Sequence, residues 1–184
     1  MTETSILWRR LDTPGHDTCR LEICGDGWKL DGTAIFLDKR VPAQLTYHVA
    51  CDRAWRTKRG QVCGWLGTQA IKLNIVRTSE GVWTLNGVAV PGLENCIDLD
   101  LGFTPATNLL QLRRIALVVG QAADVPVAWL EESTGILQVL PQRYERRAIA
   151  EYWYEAPRFD YAALLEVSPA GFIHRYPGLW EAEL

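Results

Sequence analysis

A chain of 184 residues with 48% hydrophobic and 22% charged side chains is long enough for one domain that buries about 70% of its unfolded surface without staples. Its net charge of −3 argues against a binder of nucleic-acid backbone, which carries a basic surplus. Cys19, Cys24, Cys51, Cys63 and Cys96 include no C-x-x-C pair, which excludes a small disulfide framework and a zinc module. The opening MTETSILWRR lacks the basic and apolar regions of a signal peptide. No run approaches the roughly 20 apolar residues of a membrane span, so a cytoplasmic chain with reduced thiols is expected.

In chain order, residues 5–37 read as two or three strands. Ser5–Arg10 comes first, and Cys19, Leu21 and Ile23 then alternate with Arg20 and Glu22. Pro14-Gly15, Gly25-Asp26-Gly27 and Asp31-Gly32 are expected turns or bulges. Leu45, Tyr47 and Val49 alternate with Thr46 and His48, as Ile71, Leu73 and Ile75 do with Lys72 and Asn74. Between these strands Arg53, Arg56, Lys58 and Arg59 crowd towards Gly60, the expected hairpin tip. Such a cluster is a solvated end or, more sharply read, a phosphate or anionic head-group contact. Glu80-Gly81 and Asn86-Gly87 bracket Val82–Leu85, so residues 71–101 read as an antiparallel meander.

Glu94 to Ile115 is the most organised stretch. Ile97, Leu99 and Leu101 alternate with Asp98 and Asp100, a strand with one apolar face. Thr104-Pro105 predicts a cap and a single helical turn. Arg113 and Arg114 then lead into Ile115–Val119, expected as a short buried strand. Gln121–Val125 reads as a linker, and Val125, Val127 and Trp129 alternate again. Ile136–Leu140 is a strand ended by Pro141, and Ile149–Glu155 carries Tyr152-Trp153-Tyr154. Phe159–Val167 fits helix or strand, and Ser168-Pro169-Ala170-Gly171 turns the chain into Phe172–Tyr176. The whole predicts one mainly β domain over residues 1–184: a curled antiparallel sheet, rolled or an incomplete barrel, with many short strands and little helix. So many turn-linked strands must curl to hide their edges.

Asp98 and Asp100, two apart on a strand, leave the same face about 7 Å apart. That spacing suits acid/base work on a glycosidic bond, a shared metal, ligand binding, or an ion-pair network with Arg113 and Arg114. His16, His48 and His174 lack metal-ligand spacing. Ser133 and Ser168 sit in turns without a nucleophile elbow. With no glycine-rich phosphate loop either, neither a cofactor nor a metal is expected. Tyr144, Tyr152, Trp153, Tyr154, Phe172 and Tyr176 are the candidate pocket lining, with core packing as the competing reading.

Several separated motifs resemble a bacterial family labelled "putative glycolipid-binding". They are Trp83–Gly87, Asn95–Asp100, Thr104–Asn108, Arg113-Arg114, Gln142–Arg146 and Gly171–Leu179. The resemblance implies a spiral β-roll, a many-stranded antiparallel sheet like those of periplasmic and mycobacterial lipid-carrier lipoproteins. The first reading is therefore a non-enzymatic protein that binds an amphipathic small molecule such as a glycolipid or fatty acid. Asp100, Arg113 and Arg114 would form its polar mouth, with Asn108, Tyr144, Tyr152, Trp153, Tyr154 and Tyr176 as further contacts. A second reading is an enzyme acting on carbohydrate or a small metabolite through Asp98 and Asp100. A third is a scaffold whose edge strands pair into a homo-oligomer.

Overall fold

The computed structural model describes residues 4–183. The first half is a run of hairpins: β1 (Ser5–Arg10), β2 (Gly15–Cys24), β3 (Gly27–Asp38), β4 (Val41–Asp52), β5 (Thr57–Leu66), β6 (Gln69–Arg77), β7 (Trp83–Leu85) and β8 (Val88–Ala89). A middle section holds β9 (Leu99–Leu101), the helix α1 (Asn108–Ile115), β10 (Ala122–Asp124), β11 (Val127–Glu131) and β12 (Ile136–Leu140). The last third returns to hairpins with β13 (Arg143–Ala148), β14 (Glu151–Ala156), a 3-10 turn at Pro157–Phe159, β15 (Tyr161–Val167), β16 (Ile173–Tyr176) and β17 (Trp180–Ala182).

Fourteen strands make one sheet in the order β10-β13-β14-β15-β16-β17-β1-β2-β3-β4-β5-β6-β7-β8. The two ends of the chain meet at its centre, where β1 pairs with β17. The protein is mainly β, and the sheet is not closed into a barrel. Its edges, β10 and β8, are only three and two residues long, which limits the backbone they offer to another chain. Alternation gives the sheet one buried face. In β4, Ala43, Leu45, Tyr47, Val49 and Cys51 are buried while His48 is exposed; in β14, Tyr152, Tyr154 and Ala156 are buried and Trp153 is not. Fully burying each large apolar side chain of this face, Trp8, Leu30 and Leu45 among them, stabilises the fold by about 1.5–3 kcal/mol.

The curled sheet wraps its inner face around an insert: a small mixed sheet, β12-β11-β9, and α1. β9 runs parallel to β11, and all three of its residues are buried. An enclosed segment cannot turn its polar groups to water, so each must find a protein partner. Leu99 N–H donates to Thr57 Oγ1 of β5 at 3.0 Å. Trp83 Nε1 and Arg77 Nε donate to Cys96 O at 3.0 and 3.2 Å. Arg114 grips Asp98 as a fork, with Nε 3.0 Å from both carboxylate oxygens and one terminal nitrogen at 2.7 Å. Burial nevertheless pushes the Asp98 carboxyl up despite the guanidinium. Thr104 and Tyr47 hydroxyls both reach the Asp17 carboxyl of β2, Tyr47 at 3.1 and 3.2 Å.

The structure corrects four local expectations, one of them the linker Gln121–Val125, where Ala122–Asp124 forms β10 against β13. Asp31-Gly32 lies inside β3 and makes no turn, because β3 runs for twelve residues against β2 and β4. Gly60 is a buried residue of β5 rather than a hairpin tip. A Cβ there would stand 2.3 Å from Leu99 Cδ2, so the absent side chain lets the insert rest on the β5 backbone. As expected, Thr104 caps the single turn that Pro105 opens: its hydroxyl accepts from Ala106 N–H at 3.0 Å, and Asn108 N–H donates to Pro105 O at 3.3 Å, with α1 following from Asn108. The predicted strand Ile115–Val119 is absent. Ile115 ends α1, Ala116 takes a left-handed φ of 44°, and Val118 and Val119 are exposed. Leu109, Leu110 and Leu112 bury the helix, and Arg113 and Arg114 fall in its last turn, where cations are favoured.

These anchors predict two stability effects. Removing the cation from a buried pair strands the other charge, so Arg114→Ala should destabilise the fold by about 3–5 kcal/mol, measured by urea denaturation. Loss below about 1 kcal/mol would mean that the fork is dispensable. Burial raises Asp17 from 3.8 to about 8, so the folded chain holds a proton that the unfolded chain releases. Its contribution is full below about pH 4 and is lost as pH rises through about 8. Asp100, raised to about 6, adds to the lower part of that decline, which leaves the range from about pH 6 to 8 to Asp17. Wild-type thermal midpoints should fall across that range, and Asp17→Asn, neutral throughout, should not follow. Parallel slopes in the two proteins would refute the assignment.

Candidate functional site

The insert and the carboxy-terminal strands enclose a cavity of about 480 Å³. Asp100 of β9 and Asn108, the first residue of α1, line it and are buried. Asp100 is placed there by its strand, and its carboxylate accepts from Thr107 Oγ1 at 2.9 Å and from Gln142 Nε2 at 2.6 Å. Burial pushes its carboxyl up to about 6, with the Asp98 charge adding to the rise and the two hydrogen bonds opposing it. The two hydrogen bonds use two of the roughly four acceptor positions of a carboxylate.

Tyr154, Tyr161 and Tyr176 form one wall, with ring centroids 5.6 Å apart for Tyr154–Tyr176 and 5.5 Å for Tyr161–Tyr176. Burial raises all three phenols, Tyr161 to about 12, so they stay protonated. Trp129 of β11 and Phe159 of the 3-10 turn pack edge to face at 5.3 Å on another side. Phe159 is 49% exposed and stands at the rim. Arg10 and Asp12, at and beyond the end of β1, complete the lining with Trp180. The Arg10 guanidinium is 4.9 Å from the Phe36 ring and 5.3 Å from the Trp180 ring. It forks onto Asp12 at 2.7 and 3.0 Å. Its Nη1 is buried and has no hydrogen-bond partner among the described residues.

Of the residues singled out by sequence, Asp100, Asn108, Tyr154 and Tyr176 line this cavity together. Tyr144 lies behind them, fully buried, its hydroxyl accepting from Asn108 Nδ2 at 2.8 Å and its ring 4.9 Å from Tyr154. Arg113 and Tyr152 line a different cavity. Arg114 is committed to Asp98, so the two acids are not presented side by side. Trp153 faces the other side of β14, where Arg147 lies 5.0 Å from its ring. Phe172 packs in the core, edge to face with Trp8 at 5.8 Å. Arg10, Asp12, Trp129, Phe159, Tyr161 and Trp180 were missed by the sequence reading. Their strands alternate legibly, but nothing local shows that distant segments converge on one cavity. Among the described residues, no three His, Cys, Asp or Glu side chains are grouped to hold a metal ion. The arrangement sets a carboxylate and a guanidinium beside aromatic rings that can cover an apolar surface.

The same architecture is found in the crystal structure of a DUF1089 family protein from Pseudomonas aeruginosa. That chain is 25% identical, with a TM-score of 0.79 over 98% of this chain and 93% of the other. No curated protein matches the sequence. A family model described as "Putative glycolipid-binding" matches residues 5–182, from the first residue of β1 to the last of β17, and the chain belongs to that family.

Proposed function

We propose that this protein is a non-enzymatic binder that takes the sugar-bearing end of an amphipathic molecule, a glycolipid, into the cavity above Asp100. The observation that carries the reading is a buried carboxylate, with two hydrogen bonds accepted and acceptor capacity to spare, among the residues that line an aromatic-walled cavity. Sugar rings present hydroxyl donors at their edges and C–H faces that lie well on Tyr and Trp. Asp100 accepts from hydroxyls, and Arg10 Nη1 donates to a ring or glycosidic oxygen. A cavity of about 480 Å³ falls within the range of about 300–1,000 Å³ usual for small-molecule sites. The family description points the same way. A neutral sugar head suits the cavity better than a free fatty acid, whose carboxylate would meet Asp100 and Asp12.

Calorimetric titration with octyl glucoside below its micelle concentration tests this reading. Saturable binding is expected, with octanoate, a charged molecule bearing a similar tail, binding more weakly. Asp100→Asn should weaken octyl glucoside by roughly 10- to 150-fold, since a hydrogen bond to a charged group is worth about 1.5–3 kcal/mol. Phe159→Ala, at the exposed rim, should weaken it by a smaller factor without changing the fold. Failure of the sugar to bind, or equal binding by wild type and Asp100→Asn, would overturn the proposal.

A further inference from the structure

A second cavity, of about 410 Å³, lies beyond the carboxy-terminal end of α1, between the turn after β13 and the turn before Phe172. Its lining includes Arg113, Arg146, Tyr152 and Ser168, and none of its lining residues is acidic. The Arg146 guanidinium is fixed by three backbone carbonyls, donating to Leu117 O at 2.7 Å, Ile149 O at 2.6 Å and Ala148 O at 3.3 Å. Those bonds use three of its five N–H groups and fix its position, and its charge has no carboxylate partner among the described residues. Arg113 donates from Nε to Ala170 O at 2.8 Å, and its terminal nitrogens make no hydrogen bond among the described residues. Gly171, at φ +100°, admits the Arg113 stem: a Cβ there would stand 3.3 Å from Arg113 Nε. Ser168 is 7% exposed, and its hydroxyl is buried with no partner among the described residues. An unmet buried hydroxyl is costly, and Ser168 is one of the residues that line this cavity together with Arg113 and Arg146.

We propose that this cavity binds a phosphate-type oxyanion, held by the terminal nitrogens of Arg113 and the Ser168 hydroxyl in the field of Arg146. Guanidinium forks and hydroxyls are the donors that phosphate oxygens match. The negative end of the α1 dipole opposes an anion with about half a charge, and two full positive charges outweigh it. The anion is the phosphate of a lipid head group or of a small soluble molecule. Ile149, which lines the cavity and is 82% exposed, offers apolar surface to a lipid tail. The site stands apart from the sugar cavity and does not depend on that reading.

The test is titration with sodium phosphate, at ionic strength matched by sodium chloride, and with dihexanoyl phosphatidic acid, read by thermal midpoint and calorimetry. Binding of both identifies a soluble phosphate as sufficient, and binding of the lipid alone identifies a head group. Either way Arg113→Gln and Ser168→Ala should each weaken the ligand that binds by about tenfold. Ser168→Ala should also raise the midpoint in chloride, because it removes the unmet hydroxyl. It decides the matter alone if Arg113→Gln does not fold. Saturable binding by neither ligand, or binding unchanged in Ser168→Ala, overturns the proposal.

Discussion

A segment threaded through the inside of a curled sheet takes its backbone and its acids out of water, and the fold depends on meeting each of them. The first part of the insert, with β9 and α1, is tied to β2 and β4 through Thr104, Asp17 and Tyr47. It is tied to β5 through Thr57, and to itself through the Asp98–Arg114 fork. None of these ties is a large net stabiliser, since desolvation offsets most of what a buried polar pair returns. Their weight lies in the cost of leaving any one unmet, which fixes where the insert sits. The apolar inner face supplies the driving force, and the polar ties select one placement within it. That placement sets Asp100 and Asn108 against the first cavity and Arg113 against the second one.

Burial acts on two acids of the interior with different results. Asp17, raised to about 8, is neutral near pH 7 and serves as a hydrogen-bonding strut between β2 and the insert. Asp100 receives bonds from Thr107 and Gln142 and is raised only to about 6. It also lines a cavity. A neutral acid suits a structural joint, whereas a carboxyl group with spare acceptor positions suits a ligand rich in hydroxyl donors.

Much of the sheet was legible in the residues. Leu45, Tyr47 and Val49, or Ile71 and Ile75, alternate cleanly because one face is buried and the other is wet. Two of the errors fall where the insert meets the sheet. Gly60 reads as a turn because local signals cannot show that Leu99 will need the space. Arg113 and Arg114 interrupt the apolar pattern of α1, so the residues after them read as a separate strand. The importance of Asp98 and Asp100 was visible in their spacing, but their parting was not. Arg114 from the helix claims one, and Thr107 and Gln142 claim the other. Alternation alone would have set Trp153 apart from Tyr152 and Tyr154. Arg10 carries no local signal, because it reaches the site only through the pairing of β1 with β17.

The most direct test is mass spectrometry of the small molecules released when freshly purified protein is denatured, beside an unrelated protein purified in parallel. A cavity built for a sugar-bearing amphiphile predicts enrichment of molecules that combine a neutral hydroxyl-rich head with an apolar chain. Release of the same set from both proteins, or enrichment only of compounds without a sugar, would contradict the account.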